Sequence, residues 1–279
     1  MTNTWFITGA SSGFGRAFAE YALAHGHNVV ATARRADLLA EIEATAPDRV
    51  LAIALDVTRP DQVTAGIEAA TARFGRIDVL INNAGYGIVG AFEETPDAEL
   101  RAMMETNFFG ALTVTRAALP VMRAQRTGAI VMISSVGGQM SFAGFGPYSA
   151  SKFALEGLTE ALAQEIAPFG LKAMIVEPGA FRTSFAGKGG MRHMPQRAEY
   201  EEIVRGTRSF AEDMDGTQAG DPARAAAAID LALKSDVTPL RLALGDDAVD
   251  GIRDHAEAVL AELTSWETVS RNVAFESAA

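Results

Sequence analysis

Short runs rich in Val, Ile, Leu and Ala alternate with longer stretches of helical period from the N-terminus to about residue 245. Seven runs read as strands: WFITG (5–9), NVVATA (28–33), VLAIALD (50–56), IDVLINN (77–83), AIVMISS (129–135), KAMIVEP (172–178) and LRLALG (240–245). Helical stretches lie between them near 14–25, 36–46, 60–73, 97–126 and 149–167. Several open on capping residues, such as Thr58 before RPDQ and Thr95 before PDAEL. Because the strands are nearly continuous in apolar residues, helices are expected on both faces of the sheet. The pattern predicts an α/β fold: one doubly wound parallel sheet of about seven strands, with its ligand crevice at the carboxyl ends of the strands.

The periodicity breaks down from about 184 to 220, where glycines and charges surround one convincing helical piece near 196–212. So long an insertion after a strand reads as a substrate lid. From Asp246 to the end at 279 the chain reads as an amphipathic helical extension. No Pro-rich or Gly/Ser-rich linker divides the sequence, so residues 1–279 are read as a single domain.

Composition narrows the function. A formal net charge of −11 disfavours a broad nucleic-acid surface, which needs clustered Lys and Arg. Zero cysteines exclude disulfides, thiol nucleophiles and thiolate metal sites, and accord with a reducing compartment. His25, His27, His193 and His255 are too scattered to suggest a metal cluster, and no metal is expected. The first strand begins at Trp5, leaving no room for a signal core, and no apolar run reaches 18 residues. The protein is therefore expected to be cytoplasmic, with no membrane partner.

Three stretches carry chemistry. TGASSGFG (8–15) puts Gly9, Gly13 and Gly15 where the first strand meets a helix, and such a turn brings backbone and helix N-terminus onto a phosphate. VVATARR places Ala33 where an acid would hold the ribose of NAD, followed by Arg34 and Arg35, which favours NADP(H) with NAD(H) as the alternative. PYSASKF (147–153) sets Tyr148 and Lys152 four apart at the start of a helix. Residues so spaced are neighbours on any helix, but an ammonium beside a phenol also favours the phenolate and makes it a usable acid or base.

In order along the chain stand TGASSGFG, LDVT (55–58), NNAG (82–85), TNFFG (106–110), ISS (133–135), YSASK (148–152) and PGAFRT (178–183). With these motifs, residues 4–245 resemble the short-chain dehydrogenase/reductase family, in its TGxxxGxG branch. The resemblance implies a Rossmann-type fold and an NAD(P)-dependent oxidoreductase acting on CH–OH groups. It implies a catalytic tetrad of Asn107, Ser135, Tyr148 and Lys152, Ser135 being chosen over Ser134 because it lies 13 residues before the tyrosine. Tyr148 would donate the proton, Ser135 hold the substrate oxygen, Lys152 lower the tyrosine pKa and bind the nicotinamide ribose, and Asn107 organise water. Gly9, Ser11, Ser12, Gly13, Phe14 and Gly15 would line the cofactor at the first turn, and Arg34 and Arg35 would meet its extra phosphate. Asp56 and Val57 would contact adenine, and Asn83, Ala84 and Gly85 the adenosine side. Pro178, Gly179, Phe181 and Thr183 would lie along the nicotinamide.

The expected substrate wall is apolar: Tyr86, Val89, Gly137, Met140, Phe142 and Phe145, then Phe181, Phe185, Met191 and Met194. It favours a hydrophobic carbonyl compound or secondary alcohol, while Arg182, Lys188, Arg192 and Arg197 leave an anionic substrate group open. A non-catalytic dinucleotide-binding regulator, or an epimerase or lyase of the same fold, is the alternative. The longer C-terminus resembles that of the hydroxysteroid and retinol branch and puts the usual tetramer in doubt. A homodimer through the helices at 97–126 and 149–167 is expected.

Overall fold

The computed structural model describes residues 2–187 and 190–275. In chain order it has β1 (Thr4–Thr8), α1 (Gly13–Ala24), β2 (Asn28–Ala33), α2 (Ala40–Thr45), β3 (Val50–Ala54), α3 (Pro60–Phe74), β4 (Val79–Asn82) and β5 (Gly87–Val89). Then follow α4 (Asp97–Met104), α5 (Ala111–Gln125), β6 (Gly128–Ile133), α6 (Gly146–Ile166), β7 (Leu171–Pro178), β8 (Met191–His193), α7 (Glu201–Asp213), α8 (Pro222–Lys234), β9 (Arg241–Leu244) and α9 (Asp246–Arg271).

Seven strands form one parallel sheet in the order β3-β2-β1-β4-β6-β7-β9. It is a single α/β domain of Rossmann type, as the strand pattern predicts. Alternation along β1 explains why both faces need helices. Trp5 and Ile7 point into a core shared with Phe18 and Ala22 of α1 and Ile229 of α8, whereas Phe6 points the other way, toward Val63 and Ile67 of α3, Val114 of α5 and Leu155 of α6. Trp5, Phe6 and Ile7 are fully buried. Each such side chain contributes about 1.5–3 kcal/mol of transfer free energy.

The chain runs outward from β1 to β3, then returns to lay β4 on the other side of β1. That reversal opens a crevice beyond the carboxyl ends of β1 and β4, where adjacent crossover connections part. The TGASSGFG turn and the NNAG turn both end there.

Three helical expectations change. The run 97–126 is not one α-helix: a six-residue π-helical stretch, Glu105–Gly110, separates α4 from α5. Such a wide turn adds a residue without disturbing the apolar stripe, so periodicity passes through it unmarked. The expected 36–46 helix begins as a 3₁₀ turn at Ala36–Leu39 before α2. The 184–220 segment holds a strand besides its helical piece: β8 pairs in parallel with β5 through Gly87↔Met191, Ile88↔Arg192 and Val89↔His193. Of the C-terminal extension, Asp246–Arg271 is helical as expected, while residues 276–279 lie outside the described residues.

Candidate active site

The phosphate turn is built by close approach. Gly9 sits at φ +68°, and a methyl on Gly15 would run into the Gly9 carbonyl, so α1 can start against β1 only with glycine there. Ser12, the N-cap of α1, makes no side-chain cap, and the first turn carries no acidic residue. The backbone donors of that helix end are therefore free to meet an anion. Ser11 and Phe14 are half-buried in the same turn, and the Phe14 ring lies 5.0 Å from that of Phe181. Gly13 faces Thr183, so the loop after β7 lies against the turn.

Beside it, the Thr8 hydroxyl accepts hydrogen bonds from the backbone N–H of Asn83 (2.9 Å) and of Ala84 (3.0 Å). The Asn83 amide returns a bond to the Thr8 carbonyl at 2.9 Å. These bonds lock the ends of β1 and β4 together under the crevice. Arg34 and Arg35 are exposed just past β2, and neither forms an ion pair among the described residues. Asp56 accepts from the Thr58 N–H at 2.9 Å, and Val57 is buried behind it. Pro178 ends β7, and the Gly179 N–H bonds the Leu244 carbonyl at 2.9 Å. Free helix donors, glycine clearance and unpaired arginines fit a phosphate-bearing dinucleotide.

The four expected catalytic residues converge on the next stretch of the crevice. The Cβ that Gly137 lacks would lie 3.4 Å from both Ser135 Oγ and Tyr148 Cε1, and the Ser135 hydroxyl accepts the Gly137 N–H at 3.0 Å. Lys152 Nζ sits 5.8 Å from the Tyr148 ring centroid and donates to the Ile133 carbonyl at 2.8 Å. A methyl on Gly85 would lie 3.0 Å from Asn107 Oδ1 and 3.8 Å from Lys152 Nζ. Asn107, carried by the π turn, is clamped by its surroundings. Its Oδ1 accepts from the Tyr86 N–H at 3.0 Å, and its Nδ2 donates to the Tyr86 carbonyl (2.9 Å) and to Ser151 Oγ (3.1 Å).

Electrostatics depart from the expectation that Lys152 lowers the tyrosine. Burial pushes the Tyr148 phenol up to about 12, with the Ser135 hydrogen bond working against it. Burial likewise pulls Lys152 down to about 8, opposed by the charge of Glu156. Burial is the largest influence on both groups.

Around Tyr148 the wall is apolar. The Phe185 ring lies 5.8 Å and the Phe145 ring 6.3 Å from it, and Ile88, Met103 and Met194 complete the cluster. Val89 and Met191 are buried next to them, but Phe142 is half exposed and Met140 turns toward Gly251 of α9. The basic residues of the lid are already occupied. Arg192 pairs with Glu99 at 2.7 Å, Arg197 pairs with Glu93, and Arg182 donates to the Gln218 carbonyl at 3.2 Å. Lys188 lies outside the described residues.

The short chain dehydrogenase family matches this chain over residues 3–191. The chain belongs to that family. A crystal structure of a short-chain dehydrogenase from Streptomyces avermitilis is 53% identical and superposes with a TM-score of 0.94, over 99% of this chain and 100% of that one. Oxidoreductase BOA17 of Botryotinia fuckeliana is 38% identical over 274 residues, 97% of this chain and 98% of that protein. An alcohol dehydrogenase from Thermococcus sibiricus, solved with 5-hydroxy-NADP, is 25% identical with a TM-score of 0.72, covering 88% of this chain and 96% of that one. This short-chain dehydrogenase is thus an NAD(P)-dependent oxidoreductase.

Several residues that shape the dehydrogenase site were invisible in its motifs. Asp247, in the first turn of α9, accepts the Ala180 N–H at 2.7 Å and pins the loop after β7. Glu94 and Arg208 form a buried ion pair at 2.6 Å that fastens α7 of the lid beside β5. Glu156, Glu177 and Gln139 form a buried polar cluster behind Ser134. Each comes from segments far apart in sequence. Only the spacing of Lys152 and Glu156, four apart on α6, hints at one of them.

Proposed function

We propose that this dehydrogenase interconverts a fairly hydrophobic ketone or aldehyde with the corresponding alcohol, preferring NADP(H), with Tyr148 as general acid and base. The observation that carries the reading is the meeting of Ser135 and Tyr148 beneath an apolar wall, beside the glycine turn. A nicotinamide dinucleotide held at Gly9–Gly15 would supply or accept the hydride.

The residues do the rest. Hydride delivery to a carbonyl carbon leaves negative charge on oxygen, and hydrogen-bond donors already aimed there lower the barrier. Ser135 donates one hydrogen bond and Tyr148 passes its proton. A phenol held near 12 is protonated at neutral pH, the form that reduction needs. Lys152, anchored on the Ile133 carbonyl, presents its charge to the phenolate left behind and draws a proton back. Asn107 fixes the Tyr86 backbone and so sets the width of the pocket at Gly85.

Phe145, Phe185, Ile88 and Met194 exclude water from the reacting oxygen and favour an apolar substrate. Paired arginines in the lid speak against an anionic head group. NADP(H) is favoured because Arg34 and Arg35 stand free where an acid would otherwise bind a 2′-hydroxyl, and a guanidinium matches a phosphate. The enzyme acts as a homodimer through α5 and α6, near the half-exposed Phe109 and Phe153. A monomer mass in light scattering at micromolar protein would refute that arrangement.

Tyr148→Phe tests the mechanism. Turnover of a panel of aromatic and aliphatic carbonyls with NADPH should fall by about 10²–10⁴, the usual worth of a positioned acid, while NADPH binding by fluorescence stays within a few fold. A variant that keeps the wild-type rate removes Tyr148 from its role.

A further inference from the structure

Tyr148, Lys152 and Glu156 follow one another at intervals of four along α6, so all three lie on one face of the helix. Glu156 belongs to neither the cofactor cradle nor the substrate wall, yet it is fully buried and surrounded by donors. Ser134 Oγ donates to its Oε1 at 2.7 Å, and Gln139 Nε2 and Arg241 Nε (3.0 Å) reach its Oε2.

A second buried carboxyl, Glu177 at the end of β7, shares two of these donors. Gln139 Nε2 lies 3.0 Å and Arg241 Nε 3.3 Å from Glu177 Oε1. Arg241 also binds Glu160 at 2.6 Å. The charged and titratable groups facing Glu156 are thus Lys152 and Glu160 on α6, Glu177 on β7 and Arg241 on β9. One guanidinium, that of Arg241, is shared among three carboxyls. Burial and the neighbouring Glu156 push the Glu177 carboxyl up. Glu156 takes the larger share of the donors.

Glu156 stands one helical turn from Lys152. Burial disfavours the ammonium, and Glu156 is the charge that opposes the effect. We propose that Glu156 is a positioning residue of the active site: its buried carboxylate, fixed by Ser134, Gln139 and Arg241 one helical turn after Lys152, keeps Lys152 an ammonium. The role rests on the tetrad reading above, because an ammonium at Lys152 is what returns a proton to Tyr148. A neutral amine at that place would leave the phenolate unsupported. In turnover, loss of Glu156 would move the alkaline fall of the reduction rate to lower pH.

The chain has four lysines, so lysine labelled with ¹³C at Cε gives a readable spectrum of the whole protein. The Lys152 signal is identified by its loss in Lys152→Arg and followed against pH without cofactor or substrate. In Glu156→Gln the Lys152 midpoint should drop by about one pH unit or more, a tenfold change in ammonium fraction. Ser134→Ala and Glu156→Asp both keep the carboxylate and should leave the midpoint close to wild type, which a merely structural effect on packing would not do. Should Glu156→Gln not fold, Glu156→Met, which also removes the charge, carries the same expectation. A folded variant lacking the Glu156 charge in which Lys152 titrates as in wild type overturns the proposal. The Tyr148→Phe turnover assay decides the tetrad reading separately.

Discussion

Thr8→Val probes the bonds that join the two halves of the crevice. The substitution keeps shape and removes one hydroxyl that is buried to 1% exposure and serves two backbone donors, Asn83 N–H and Ala84 N–H, at 2.9 and 3.0 Å. It also drops a weaker bond from Thr8 to the Ile81 carbonyl at 3.3 Å. A donor left without a partner away from water costs about 1–3 kcal/mol. Two donors, one of them able to reach solvent through the open crevice, give a loss of about 2–4 kcal/mol. For a chain of this size that corresponds to a fall of roughly 4–10 °C in Tm. Thermal unfolding by circular dichroism, at fixed protein concentration and without cofactor, reads it directly. Thr8→Ser, which restores the hydroxyl, should recover most of the difference, and NADPH affinity should follow stability because the same turn carries Asn83 to Gly85. A Thr8→Val protein within about 0.5 kcal/mol of wild type would show that the two amides have another acceptor.

Changing Ala33 to Asp together with Arg34 to a neutral residue should shift the ratio of NADPH to NADH affinity toward NADH by tenfold or more, about 1.4 kcal/mol; an unchanged ratio in fluorescence titration would place the phosphate elsewhere. Lys152, pulled down to about 8, sheds its proton in the folded protein before the unfolded chain does, so stability without cofactor should rise as pH climbs from about 8 toward 10.5. Tyr148, raised to about 12, should reverse that trend above pH 10, where only the unfolded chain loses its phenolic proton. Lys152→Met should abolish the rise, worth at most about 3 kcal/mol, when urea unfolding is compared across pH; a variant with the wild-type slope would mean that Lys152 stays charged.

Local pattern carried most of the architecture into view before any coordinates. All seven sheet strands lie where apolar runs were found, because each is bounded by turn residues and covered on both faces. The motifs of Ser135, Tyr148 and Lys152 lie at a strand end and a helix start that the fold gathers at one crevice, and Asn107 joins them from the π turn. The helix α8 was passed over although Asp221 caps it by accepting the Ala223 N–H at 2.8 Å and Pro222 opens it. Its stripe is mostly alanine, which packs on α1 without the strong contrast that marks an amphipathic helix. The pairing of β5 with β8 joins two three-residue segments about a hundred positions apart, and nothing local announces it. The π turn is hidden for another reason: one extra residue leaves the apolar period almost intact while rotating Asn107 into the site.

The 181–220 insertion shows how the fold turns an irregular segment into a defined wall. It leaves the sheet at Phe181 and returns at Gly220, where the two form a parallel bridge and the Arg182 N–H bonds the Gly220 carbonyl at 2.9 Å. Between those ends β8 adds to β5, Thr207 Oγ1 donates to the Ala143 carbonyl at 2.6 Å, and the Glu94–Arg208 pair closes the far side. Breaking that buried pair from one side strands a charge, which costs about 3–5 kcal/mol. Because Arg208 also donates to the Met194 carbonyl, the loss is transmitted to a residue packed on Tyr148. Arg208→Met should therefore raise KM for an apolar carbonyl more than it lowers kcat, since Ser135 follows β6 and Tyr148 and Lys152 stand on α6, outside the 181–220 insertion. An equal fall in kcat with KM unchanged would mean that the lid shapes the reacting geometry itself and not only the pocket that receives the substrate.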